Sequence, residues 1–278
     1  MVATSIFSGA EDLIHRALGL QPDQKLWQKS VWVGLKSATI DVDRIARLVE
    51  ELHEIICSNW AGRKPSRKNW RLERQTVFSS DNRDPETVLE RAIAMLGKRG
   101  ALENWYNQIP VASGMIDGWA DKRAAVDLIR VHGRHVDLVE LKWESDKPAY
   151  AAFEILRYGL AYLLCRRNRE IFGYENKALL QAERVSLQVL APRIYYEPYD
   201  HALLGEGIRH GLNNLCKRQY GELSMTFQFL AFPENFRLPF ATGQDVRDNQ
   251  DTPLDEGPNR QLIEAMNNLQ PIWDTPAP

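Results

Sequence analysis

The sequence predicts an α/β fold, a sheet flanked by helices, with a largely helical region ahead of it. Three observations carry that expectation. Two apolar-rich runs, 124–131 and 136–143, meet across His132, Gly133, Arg134 and His135, the punctuation of a tight hairpin. Around them, stretches of helical spacing alternate with short strand-like runs. At 278 residues, 44% of them hydrophobic, the chain can bury a substantial core as one large domain with an appendage, or as two domains.

The elements follow in order. In 40–57, Val42, Ile45, Leu48, Val49, Leu52, Ile55 and Ile56 recur at helical spacing behind Asp41, a residue type that caps helices. Residues 58–74 turn basic, with Arg63, Lys64, Arg67, Lys68, Arg71 and Arg74 among Trp60, Gly62, Pro65 and Trp70, and read as a loop or domain hinge. Asp84 followed by Pro85 opens a second helix that carries Glu90 and stops near Gly97 and Gly100. A short strand at 109–112 precedes the hairpin, and 150–165 returns to helical period, with Ala151, Ile155, Tyr158, Tyr162 and Leu163 near one face. Residues 185–190 read as a strand, 207–220 as a helix and 225–231 as a last strand. Residues 243–258 are polar and acidic, the pattern of a disordered loop before a short helix. The expected division is a helical N-terminal region with the basic hinge (1–80), an α/β core (81–240) and a polar, partly disordered tail (241–278).

Composition narrows the function classes. A formal charge of -2, from 35 basic and 37 acidic residues, excludes a uniformly basic coat for nucleic acid but allows a local basic face. The chain shows no leader pattern, and its most apolar stretch, 150–165, is too short to span a bilayer and is interrupted by Glu154 and Arg157. Cys57, Cys165 and Cys216 are odd in number and widely separated, which fits a reduced, cytoplasmic protein with no membrane partner.

The chemistry gathers between Ala125 and Tyr158. Side chains alternate along a strand, so Glu140 and Lys142 share one face while Leu141 points to the other. Ionisable groups on a strand otherwise made for burial are costly unless they pair or bind an ion. A hairpin can bring Asp127 beside Glu140, and two converging carboxylates suit a hard cation such as Mg²⁺ or Mn²⁺. A neighbouring ammonium could orient a bound water or help deprotonate it.

Glu90 on the preceding helix, Asp127 on the second strand and Glu140-Leu141-Lys142 on the third resemble the PD-(D/E)XK nuclease superfamily, including its RecB-type members. From about Thr87 to Pro233 the element order is also similar. The resemblance implies a restriction-endonuclease-like core with a central mixed β-sheet. It implies Asp127 and Glu140 as ligands of Mg²⁺, with Mn²⁺ as a substitute, Lys142 as the water-orienting lysine, and Glu90 as a further ligand or supporting acid. RecB-type members often carry Gln and, four residues on, Tyr in the next helix; the matching positions here are Glu154 and Tyr158. Val126 stands where the motif's proline would be.

The expected function is metal-dependent hydrolysis of nucleic-acid phosphodiesters, DNA rather than RNA, with a homodimer as an open assembly state. The alternative is an inactive nuclease-fold protein that serves as a nucleic-acid-binding or assembly module. Arg63, Lys64, Arg67, Lys68 and Arg71, with Trp60 and Trp70 beside them, could contact phosphates and stack bases; a solvated hinge is the competing reading. Lys122, Arg123 and Arg130 flank the proposed acid and are candidates for the scissile-phosphate environment. His132 and His135 read as turn residues, and Gly205, Gly207 and Gly211 as a helix start.

Overall fold

The hairpin forms as expected: β2 (Ala125–His132) and β3 (His135–Leu141) pair antiparallel around Gly133, whose φ of 58° suits a residue without a Cβ. The computed structural model describes residues 5–21, 23–26, 28, 31, 40–62, 64–113, 124–144 and 147–273. Within them the protein is α/β, built on a six-stranded mixed sheet in the order β1 to β6. β1 (Trp105–Pro110) pairs antiparallel with β2, starting earlier than the apolar run at 109–112 suggested. β4 (Arg184–Ala191) and β5 (Ser224–Ala231) add parallel to β3 in turn, and β6 (Gln270–Pro271) closes the far edge antiparallel.

Helices cover both faces. The described ones are α1 (Ala10–Leu18), α2 (Val42–Asn59), α3 (Pro85–Lys98), α4 (Pro148–Arg167), α5 (Arg169–Phe172), α6 (Arg193–Tyr196), α7 (Ala202–Gln219), α8 (Gly243–Asp248) and α9 (Gly257–Asn267). Both predicted caps are made: Asp41 accepts from the Arg44 N–H and Asp84 from the Thr87 N–H, with Pro85 at the start of α3. On one face α4 and α7 lie on the sheet, α4 against β3 and β4 and α7 against β5, and α2 packs over both, so that α4 is buried around its whole circumference. The other face carries α3, α8 and α9, whose Leu89, Ile93, Val246 and Leu262 pack with Leu128, Val139 and Leu190.

Several segments differ from the sequence expectation. Residues 66–75 run beside β1 instead of forming a hinge: the Trp70 N–H donates to the Pro110 carbonyl at 2.9 Å and the Gln75 N–H to Asn107 Oδ1 at 2.7 Å. The N-terminal helices share one apolar interior with the rest, since Ile14, Val49 and Leu52 join the cluster that holds Phe153, Leu156 and Leu212. The polar segment expected to be disordered contains α8, which opens on a reciprocal capping box between Thr242 and Asp245 and seats Val246 in the core.

Gly207 and Gly211 lie inside α7, not at its start, and allow it to approach α2 closely. A Cβ on Gly211 would stand 2.6 Å from Val49 Cβ and 2.7 Å from the Ala46 carbonyl. Helix propensity alone would make Gly211→Ala stabilising by about 1 kcal/mol. Overpacking reverses the sign, and a net loss of about 1–3 kcal/mol in urea unfolding is expected. Among the described residues no helix is long and apolar enough to cross a membrane.

Candidate functional site

The β2–β3 register places Leu128 opposite Val139, so the next pair outward is Asp127 and Glu140, on the same side of the sheet. Asp127 Oδ2 accepts the Leu141 N–H at 2.9 Å, a side chain taking the place of a ladder partner. Lys142 follows the last residue of β3, and its own N–H continues the parallel ladder to the Leu190 carbonyl at 2.9 Å. That pairing holds Glu140 and Lys142 in strand alternation and directs both toward α4.

Glu140 and Lys142 of the resulting cluster are buried, and Asp127 and Glu154 are half-buried. Glu140 is 3% exposed and Lys142 6%, and Lys142 Nζ stands 2.9 Å from Glu140 Oε1 and 3.7 Å from Glu154 Oε2. Glu154 and Tyr158 share one face of α4 at i and i+4, and the Tyr158 hydroxyl donates to Glu154 Oε1 at 3.2 Å. Three carboxylates (Asp127, Glu140, Glu154) thus face one ammonium, and full ionisation leaves two negative charges uncompensated.

The titration of each group follows from that imbalance. Burial, then repulsion from Glu90 and Glu154, lifts the Asp127 carboxyl from its ordinary 3.8 to about 7, against the pull of Lys142 and the Leu141 N–H. Burial and the neighbouring Asp127 carboxylate push Glu140 well up. For Lys142, desolvation favours the neutral amine, but Glu140, Glu154 and Asp127 together override it and hold the ammonium charged. Burial raises the Tyr158 hydroxyl, and the Glu154 carboxylate raises it further, so this group stays protonated and donates.

Glu90, 5% exposed on α3, reaches the same region from the other layer. Its Oε1 accepts from Asn107 Nδ2 at 2.6 Å and lies 3.1 Å from Arg91 Nη1, and its Oε2 accepts from Gln108 Nε2 at 2.8 Å. Both carboxylate oxygens are therefore engaged by amides of β1. Two adjacent strand residues reach one carboxylate because Gln108 has a φ of 51°, a left-handed conformation uncommon for a residue with a Cβ. Asn107 also brackets Gln75, donating to its carbonyl at 3.0 Å and accepting its N–H. Asn107→Ala would leave Glu90 held by Gln108 and Arg91 alone and would strand the Gln75 backbone, and a loss of about 2–3 kcal/mol in denaturant unfolding is expected.

Asn107, Gln108 and Arg91 were missed by sequence reasoning. The available signal was the polar pair Asn107-Gln108 interrupting an apolar strand. Of the basic segment, Arg63 lies outside the described residues, as do Lys122 and Arg123. Lys64, Arg67 and Lys68 are exposed, whereas Arg71 pairs with Glu73 at 3.2 Å. Trp70 is 1% exposed and packs edge-on against Tyr162, so its ring is closed to any base. Trp60 is half-buried against Phe172. Arg130 lies over the Trp105 ring.

The cluster can be tested for a hard divalent cation. Its acceptors are all oxygens, Glu140 Oε2 is buried without a hydrogen-bond partner among the described residues, and the uncompensated charge matches one dication. Among the described residues no group of three or more His, Cys, Asp or Glu side chains stands in metal-holding arrangement. Asp127 and Glu140 offer carboxylate oxygens, the donor type that a hard dication takes. Comparison with known proteins finds no matching family model, no matching curated protein and no matching solved structure.

Proposed function

We propose that this protein is a metal-dependent nuclease that hydrolyses phosphodiester bonds of nucleic acid, DNA rather than RNA. The observation that carries this reading is the convergence of buried Glu140 and half-buried Asp127 and Glu154 on Lys142, three carboxylates to one ammonium, with an unpartnered carboxylate oxygen on Glu140. The order α3, antiparallel β1 to β3, α4 and parallel β4 supports a restriction-endonuclease-like core.

In this reading Asp127 and Glu140 would hold Mg²⁺, which would supply Lewis-acid polarisation of the phosphate and of the attacking water. Lys142, held charged by its carboxylate neighbours, orients the attacking water and offsets negative charge that develops on phosphorus-bound oxygens; it is an electrostatic group and not a base. The water oxygen bonds to phosphorus in line and releases a proton to solvent, the opposite phosphorus–oxygen bond breaks, and the leaving alkoxide takes up a proton from solvent. Glu154, anchored by the Tyr158 hydroxyl, positions Lys142 from α4. Glu90 is a positioning residue that ties α3 to β1 through Asn107 and Gln108.

Incubation of the purified chain with linear, nicked and single-stranded DNA, and with RNA, in Mg²⁺ or Mn²⁺ is expected to cut at least one substrate. Cleavage that survives both Glu140→Ala and Lys142→Ala would overturn the assignment.

A further inference from the structure

The parallel strands β3, β4 and β5 end together, and beyond their carboxyl ends lies a cleft of about 420 Å³. Crevices at this place in open α/β sheets are where ligands bind. Trp143, one residue past Lys142 and turned to the opposite face of the sheet, the layer of α3, α8 and α9, lines it, half-buried, with its N–H donating to Glu86 Oε1 at 2.9 Å and its ring centroid 6.0 Å from each of Phe232 and Phe236. Across from this aromatic floor, Ile194 on α6 is 70% exposed. The rim carries Arg193 and Arg237 together with Glu144, Glu197 and Glu234.

We propose that this cleft takes one unpaired base of the substrate strand. The inference rests on the nucleic-acid reading above and names its substrate class: strands, overhangs or flaps with unstacked nucleotides. An aromatic ring offers a stacking surface to any base. The rim carboxylates accept from exocyclic amino groups, which favours cytosine over thymine, and they repel a run of backbone phosphates, so a base enters and the backbone stays at the arginines. A duplex would first have to surrender a stacked base.

The test is fluorescence anisotropy of labelled dodecamers, oligo(dC), oligo(dT) and a blunt duplex, with the full chain in EDTA. Oligo(dC) is expected to bind about tenfold tighter than the duplex and a few-fold tighter than oligo(dT). Trp143→Ala should weaken oligo(dC) binding about tenfold and Trp143→Phe less than about threefold. Ile194→Glu, at a site too exposed to disturb the core, should match the alanine variant. Equal binding of strand and duplex, or strand binding unchanged in Trp143→Ala and Ile194→Glu, overturns the proposal. So does quenching of Trp143 fluorescence by tetramethylammonium in a protein that binds no oligonucleotide, which would assign the floor to a cation. Because no cleavage occurs in EDTA, the two readings separate. Trp143-dependent strand binding by a protein that cuts nothing sustains the cleft and sinks the nuclease. Cutting that ignores both variants does the reverse.

Discussion

Lys142→Met is expected to cost about 3–5 kcal/mol of stability at pH 8, as removal of one partner from a buried ion pair does, and to abolish cleavage. Methionine fills a similar volume, so the loss reports charge and not a cavity. With the ammonium gone, Glu140 at 3% exposure and the neighbouring Asp127 and Glu154 have no counter-charge within the cluster. The cost should shrink at pH 5, because Asp127 and Glu140 both take up protons far above the usual carboxylate range and so need the lysine less in acid. Urea unfolding at the two pH values checks this. An equal cost at both would show that Lys142 does not balance these carboxylates.

Asp127→Asn should move stability the other way. An acid whose pKa rises from 3.8 to about 7 on folding binds its proton more tightly in the folded state. The stability this contributes is fully present below about pH 4, is lost as pH climbs toward 7, and is absent above that. Asparagine removes the dependence while its amide oxygen can still accept the Leu141 N–H. In EDTA the variant is expected to be more stable than the parent by about 1–3 kcal/mol at pH 8 and nearly equal to it at pH 4. Cleavage in Mg²⁺ should fall at least about a hundredfold. A variant that is more stable in alkali yet inactive separates a functional acid from a structural one, whereas stability that is unchanged or lower at pH 8 would refute the electrostatic account of the site.

Much of this arrangement was legible along the chain because it depends on short-range geometry. Asp41 and Asp84 cap the helices they precede, and His132 to His135 make the turn. Strand alternation alone puts Glu140 and Lys142 on one face, and the four-residue step from Glu154 to Tyr158 puts those two together on α4. What was hidden depends on neighbours distant in sequence. Trp70, read as a surface for bases, is covered by Tyr162, 92 positions away. Gly207 and Gly211 of α7 have meaning only against Ile45 and Val49 of α2. Residues 243–248 look too polar to fold, yet one capping box and one buried valine suffice once α3 stands beside them.

By itself, then, the sequence determined the order of the main elements from α3 to β5, the hairpin and the identities of the groups at the end of β3, since caps, turns and period-two alternation act over a few residues. Only the tertiary structure decided how those groups are charged. Asp127, Glu140 and Glu154 come from three separate elements, and the raised proton affinities of Asp127 and Glu140 arise from burial and mutual repulsion beside a single ammonium, a quantity that no local pattern encodes.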